Sequence, residues 1–183
     1  MENIAQVIIH GRAYSVRLFN PIDAYRFYSK WCSDRDQPKH GCTFGLVALR
    51  RCRTPSGDAL ESDSELNGYF RQYPQDMIPL AYEALSLLVM EFKNELERYL
   101  KEYRLLMQQM GKRPQQMKVP AGWEYESFFG RVVMAGLCRY LELREGGVSI
   151  PAVFEMFRLL DWKDYCTGVA LERAEANRPK KTR

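Results

Sequence analysis

Apolar residues recur at helical spacing in the middle of the chain. The steps between neighbours are 3, 4, 4, 3, 4, 3 and 4 along Leu85, Leu88, Phe92, Leu96, Tyr99, Tyr103, Leu106 and Met110. This spacing predicts one long helix over about 76–110, with Asp76 as its cap. At 1.5 Å per residue that helix is about 50 Å long. Its apolar face therefore needs cover from another helix of this chain or from a second molecule.

The N-terminal segment predicts a small β-hairpin over residues 4–19. Two β-favouring runs flank His10-Gly11-Arg12, which predicts the turn with Gly11 at positive φ. Asn20-Pro21 then predicts a capped helix start. That helix should run through Trp31 and break over Ser33–Gly41.

The segment that follows is less regular. Residues 44–52 could form a short helix or a strand, and we favour the helix. Residues 53–75 are rich in Pro, Gly, Ser and acidic residues. They predict a loop that could include one helical turn.

The C-terminal third predicts three more helices. A linker over 111–122 precedes a helix over Trp123–Glu145, which should end at Gly146-Gly147. Ser149 and Asp161 are the expected caps of two further helices, over 150–160 and 162–176. The sequence therefore predicts a mainly α protein with a small N-terminal hairpin. Its expected divisions are 1–110, the 111–122 linker, a helical unit over 123–177 and a basic tail over 178–183.

Charge placement argues against a dedicated nucleic-acid binder. The formal net charge of +4 equals the four basic residues of the last six positions, so the remainder is neutral. A basic cluster at Arg50, Arg51 and Arg53, which His40, Phe44 and the tail could extend, keeps nucleic-acid binding as a minor alternative. The sequence has five cysteines and shows neither a signal-peptide pattern nor an apolar run of membrane-spanning length. We therefore expect a cytoplasmic protein without a membrane partner.

No arrangement of reactive residues predicts an active site. Cys32, His40, Cys42 and Cys52 have spacings that match no zinc motif. The two histidines, His10 and His40, lie in no recognisable catalytic pattern, and phosphate-binding glycine motifs are absent from the sequence. We predict a non-enzyme without cofactor or metal.

The remaining expectation is that the protein presents a surface to a protein partner. Large aromatic residues are concentrated in the C-terminal third, and a small helical unit can bury only some of them. Together with the long apolar stripe they form the candidate protein-binding set: Leu85, Leu88, Phe92, Leu96, Tyr99, Tyr103, Leu106, Trp123, Phe128, Phe129, Phe154, Phe157 and Trp162. The stripe also suggests a homo-oligomer through the long helix.

A family resemblance sharpens this expectation. Residues 8–24 carry Gly-x-x-Tyr-x-Val-x-x-Phe-x-Pro-x-x-Ala from Gly11 to Ala24. This strand-to-helix entry resembles that of tail-assembly chaperones from long-tailed bacteriophages. The resemblance implies a helical body that binds the tape-measure protein, itself long and helical, in the host cytoplasm. The alternatives are a structural virion component and a phage-encoded inhibitor that binds another protein.

Overall fold

The computed structural model describes residues 4–34, 38–109 and 124–176. It confirms a mainly helical protein with a small N-terminal hairpin and one long helix. The elements in chain order are β1 (Ile4–Ile9), β2 (Arg12–Arg17), α1 (Pro21–Asp34), α2 (Pro38–Leu49), β3 (Cys52–Arg53), α3 (Asp63–Gln72), α4 (Pro74–Gln109), α5 (Glu124–Met134), α6 (Tyr140–Glu145) and α7 (Ile150–Ala176).

The chain divides into two compact units. The described residues of Met1–Asn94 and Arg139–Ile150 form unit 1, and those of Glu95–Cys138 and Pro151–Arg183 form unit 2. This division differs from the sequence-based one, which assigned the whole long helix to the N-terminal part. The predicted linker (111–122) and basic tail (178–183) lie outside the described residues.

The hairpin forms as predicted. β1 and β2 pair antiparallel, and Ile9 opposite Arg12 closes a two-residue turn. His10 and Gly11 occupy that turn at φ 47° and 78°. A type I′ turn requires positive φ at both central residues, and it matches the natural twist of the strands. β2 also pairs with β3, which gives the strand order β1-β2-β3.

The predicted cap of α1 is confirmed. Asn20 Oδ1 accepts the Asp23 amide at 2.8 Å, and Asn20 Nδ2 donates to the Asp23 carboxylate at 2.8 Å. The same Nδ2 lies 2.8 Å from the Arg144 carbonyl oxygen at the end of α6. One side chain thus closes the helix start and ties α6 to the hairpin exit.

The segment expected to be a loop contains a full helix, α3. The prediction for 53–75 was therefore wrong over 63–72. Ser62 and Glu65 form a reciprocal capping box, with hydrogen bonds of 3.2 and 2.7 Å. Leu66 and Phe70, four residues apart, are both buried. The capping-box residues and the four-residue spacing of Leu66 and Phe70 are both visible in the sequence, but the surrounding Gly and Pro residues favoured the prediction of a loop.

The helix predicted over Trp123–Glu145 is two helices, α5 and α6. Gly136, at φ 72°, ends α5. The Gly136 amide bonds to the Val133 carbonyl at 3.0 Å, and the Leu137 amide bonds to the Val132 carbonyl at 3.1 Å. This is the Schellman arrangement, in which a left-handed residue closes the helix. The predicted stop at Gly146 is confirmed, with φ 79°.

The two helices predicted after Ser149 are one helix, α7. Asp161 does not cap a second helix, because it lies in the middle of α7 and is buried. Its carboxylate accepts a hydrogen bond from Arg131 of α5 at 2.8 Å. Arg131 also reaches Asp164 at 3.0 Å. An acidic residue that looked like a helix start thus links two helices of unit 2.

Asp76 has a different role from the predicted cap. The long helix begins at Pro74, and Asp76 lies in its first turn with no exposed surface. Its carboxylate accepts from Tyr14 Oη at 2.6 Å and from Arg12 Nη1 at 2.9 Å, and it lies 2.8 Å from His10 Nδ1. Tyr14 Oη is also 2.9 Å from Tyr69 Oη of α3. One buried carboxylate therefore joins the hairpin to α4.

These contacts set the protonation of Asp76. Burial alone would raise its pKa, but the hydrogen bonds from Tyr14, His10 and Arg12 together outweigh burial. The pKa of Asp76 therefore lies below its ordinary value. Burial and the hydrogen bond to Asp76 also raise the pKa of Tyr14, so the phenol remains a donor.

Asp76→Asn should destabilise the protein by about 3 kcal/mol near neutral pH, because Arg12 and its neighbours lose a buried anionic acceptor. Urea denaturation followed by circular dichroism measures this free energy. Asp63→Asn is the matched control, since Asp63 is 70% exposed in its 2.8 Å pair with Arg50. It should cost less than about 1 kcal/mol. Equal losses in the two variants would contradict the assigned role.

The stability that Asp76 contributes should also depend on pH. A folded-state pKa below the ordinary value of 3.8 means that this contribution is present above that value. It is lost as the pH falls through the folded pKa. The difference in unfolding free energy between wild type and Asp76→Asn should therefore shrink as the pH falls from about 5 towards about 2. A difference that stays constant or grows on acidification would contradict this.

Candidate functional site

An apolar groove runs between α1 and the first half of α4 in unit 1. Its volume is about 280 Å³. The lining residues of α1 are Tyr28, Trp31 and Cys32. Those of α4 are Tyr82, Leu85, Ser86, Val89, Met90 and Lys93. Aromatic and sulfur-containing side chains thus form much of its surface, and Lys93 brings a positive charge.

Buried aromatic rings pack against the α1 residues that line the groove. Phe92 is 1% exposed, and its ring centroid lies 5.9 Å from that of Tyr25 and 5.5 Å from that of Tyr28. Trp31 meets the buried Phe44 edge-to-face at 5.3 Å. The groove residues of α1 are therefore packed in place. A preformed surface of this kind loses little conformational entropy on binding.

Exposed apolar side chains extend the groove along α4. Ile78 is 79% exposed, Tyr82 71% and Met90 39%. Steps of four and eight residues place them on one side of the helix, over roughly 18 Å. Large apolar side chains left exposed on one side of a helix are typical of a protein-interaction site. Methionine adapts well to the shape of a partner.

The predicted stripe of the long helix divides between core and groove. Leu88 and Phe92 are buried, so they support the fold and offer no surface. Leu85 lines the groove. Ile78, Tyr82 and Met90 fall outside the predicted stripe, whose members Leu88 and Phe92 face the core.

Most of the predicted aromatic residues of unit 2 form its core. Phe129, Phe154 and Phe157 are buried, and Phe128 packs on Phe129 at 5.0 Å and on Phe157 at 5.1 Å. Tyr99 of α4 lies 5.5 Å from Phe157. The second half of the predicted stripe is thus covered, at Tyr99, by α7 of the same chain. Leu96 is half-buried, and Trp123 lies outside the described residues.

A smaller cleft in unit 2 collects the other predicted residues. It has a volume of about 170 Å³ and is lined by Tyr99, Glu102, Tyr103, Leu106, Arg158, Asp161 and Trp162. Arg158 donates to Glu102 at 2.6 Å and to Glu155 at 2.6 Å. Trp162 is 58% exposed and stacks on Tyr165. Two charged groups of this cleft, Glu102 and Arg158, therefore bind each other.

Burial makes two groups, the Cys52 thiol and the Tyr99 phenol, poor nucleophiles. Burial raises the pKa of the Cys52 thiol to about 12. Burial, together with the neighbouring Asp161 carboxylate, also raises the pKa of Tyr99. Both groups therefore stay neutral at physiological pH. The side chain of His40 lies outside the described residues.

The described residues were also compared with the requirements of a metal site and of a membrane-spanning helix. No trio of His, Cys, Asp or Glu side chains in this part of the chain is placed to hold a metal ion. None of the described helices combines the length and apolar character needed to cross a bilayer.

The basic cluster considered for nucleic acid makes contacts within the chain. Arg51 donates to the carbonyl oxygens of Arg17 and Leu18 at 2.6 and 2.8 Å, and Arg50 donates to Asp63 at 2.8 Å. Phe44, which was expected to extend the cluster, is buried. Arg50 and Arg51 thus have structural partners within the chain.

Comparisons of the chain with protein-family models, with curated proteins and with solved structures gave no match.

Phe92→Ala should remove the support beneath the groove and cost about 4 kcal/mol of unfolding free energy, because it leaves a cavity between Tyr25 and Tyr28. Tyr82→Ala, at an exposed position of the same helix, should change stability by less than about 0.5 kcal/mol. Urea denaturation of both variants tests this. Similar stability of the two variants would mean that Phe92 does not hold the groove together.

Proposed function

We propose that this protein is a protein-binding assembly factor whose α1/α4 groove holds an apolar helix of another protein. The observation that carries the proposal is the group of large apolar side chains that α4 leaves exposed at and beside the groove, namely Ile78, Tyr82 and Met90. Exposed apolar side chains grouped on one helix are typical of an interaction site. A role in binding, without catalysis, is part of the same proposal.

The chemistry of the groove defines its partner. An amphipathic helix that lies along α4 would place its apolar residues against Tyr82, Leu85 and Met90. Lys93 favours an acidic residue at the corresponding end of the partner helix. From Ile78 to Lys93 this surface is roughly 22 Å long, which corresponds to about four helical turns.

The resemblance over residues 8–24 suggests which assembly this is. We propose a phage tail-assembly chaperone that covers apolar helical stretches of the tape-measure protein in the host cytoplasm. The structure supports the proposal in two ways: the strand-to-helix entry leads directly into α1, and α1 forms one wall of the groove. A groove of moderate size suits reversible binding, which a chaperone needs in order to release its partner.

Co-expression with a tape-measure protein of a long-tailed bacteriophage tests the function. Wild type should keep that partner soluble and co-purify with it. Tyr82→Lys should reduce the recovered complex at least about tenfold, because it introduces a charge into an apolar contact. The matched control is Leu159→Lys on α7, where the wild-type side chain is 61% exposed; this variant should behave as wild type.

Circular dichroism of the two variants separates binding from folding, since both wild-type side chains are largely exposed. Failure of wild type to bind or solubilise the tape-measure protein would argue against the tail-assembly role. A complex that survives Tyr82→Lys would show that the groove is not the binding surface.

A further inference from the structure

Strand β1 forms an open edge of the sheet in unit 1. The strand order is β1-β2-β3, so β1 has a partner on one side. Within the described residues, hydrogen bonds to the β1 backbone come from β2. An edge of this kind presents N–H and C=O groups that can pair with another strand.

The register shows which residues present those groups. Arg17 of β2 donates its amide to Arg51, towards β3, at 2.9 Å. Ile4, which is opposite Arg17, is therefore in a pair without hydrogen bonds between β1 and β2. Its N–H and C=O point to the outer edge, and so do those of Gln6 and Ile8, which follow at two-residue steps.

The side chains of the same residues are exposed. Ile4 is 51% exposed, Ile8 is 73% exposed, and Gln6 between them is also exposed. The strand Ile-Ala-Gln-Val-Ile-Ile contains no charge and no proline. Edge strands that must remain unpaired usually carry lysine, proline or a bulge. β1 lacks the first two, and its pairing with β2 has no bulge.

We propose that β1 is a self-association surface, on which a second copy of this chain pairs its own β1 antiparallel and extends the sheet across a two-fold axis. The axis passes between the Gln6 residues of the two copies. Ile4 of each copy then lies opposite Ile8 of the other. This register uses all three outward-facing residues of each strand.

The symmetry of the strand favours a second copy as the occupant. Ile4 and Ile8 lie at equal distances from Gln6, so apolar side chains meet each other and amide meets amide. In the extended sheet, one row of neighbouring side chains runs across the strands from Arg17 and Ile4 of one copy to Ile8 and Ala13 of the other. Like charges therefore do not meet across the axis. The surface consists of residues other than those of the α1/α4 groove, and the inference does not depend on the proposed function.

The size of the contact predicts a weak dimer. A single pair of strands with two isoleucine contacts buries less than the about 1,200 Å² of a stable interface. We expect a dissociation constant on the order of micromolar. Such a contact forms at high local concentration, for example when several copies line up along one partner.

Sedimentation velocity over a concentration series tests the proposal. The full chain should shift from 21.4 kDa to twice that mass as its concentration rises. Ile8→Lys should weaken the dimer by about tenfold or more, because two symmetric contacts are lost and a charge enters each. The matched control is Ile78→Lys, an isoleucine of similar exposure (79%) on α4. It should leave the dimer unchanged while it impairs binding in the groove.

A cross-link tests the register. In a background with the exposed Cys32, Cys42 and Cys166 replaced by serine, Gln6→Cys should form an inter-chain disulfide under mild oxidation. Opposed residues of a hydrogen-bonded pair have Cα atoms about 5.5 Å apart, which suits a disulfide. Ser15→Cys is the control. Ser15 lies opposite Gln6 on β2. The Cα atoms at position 15 of the two copies would therefore be about 14 Å apart, which is three strand spacings, and the cysteines should not cross-link.

The outcomes are distinct. A monomer at all concentrations, or a dimer that Ile8→Lys leaves intact, overturns the proposal. A dimer that is broken by Ile78→Lys alone would place self-association on the long helix and would also overturn it. Loss of tape-measure binding with an intact β1 dimer would count against the proposed function only.

Discussion

A single buried carboxylate connects the hairpin of unit 1 to its longest helix. Asp76 has no exposed surface, yet its pKa stays low because Tyr14, His10 and Arg12 supply hydrogen bonds that offset its burial. Removing an anion from water is costly, so these donors must be in place whenever the unit is folded. The contact fixes the hairpin against the start of α4.

The long helix of this protein has two apolar faces with different uses in unit 1. Leu88 and Phe92 point into the core, where Phe92 supports the rings of α1. Tyr82 and Met90 lie on a second face and remain exposed. The core face supplies the stability, so the fold itself does not require apolar side chains on the exposed face. The proposed binding role uses this separation, and we expect substitutions on the exposed face to leave the fold intact.

Unit 2 uses its aromatic residues differently. Its rings pack on one another around Tyr99 and Phe157, and Arg131 and Arg158 are held by acidic partners on α7 and α4. Charges that are satisfied locally leave little for a ligand. The two association surfaces that we propose both lie in unit 1, on the groove and on the edge of β1. One favours a helix and the other a strand, because each presents the chemistry of its own secondary structure.

The sequence by itself determined the local elements of this protein. The hairpin turn at Gly11, the Asn20 cap, the long helix and the stop at Gly146 depend on residues close together in the chain, so spacing and turn chemistry were enough to predict them. Tertiary structure decided what those elements do. Asp76 and Asp161 looked like helix caps, but each is buried by partners more than 25 residues away, Arg12 and Arg131 among them. The same limit applies to the candidate site: periodicity shows that a helix has an apolar face, but only packing decides which face is buried and which remains for a partner.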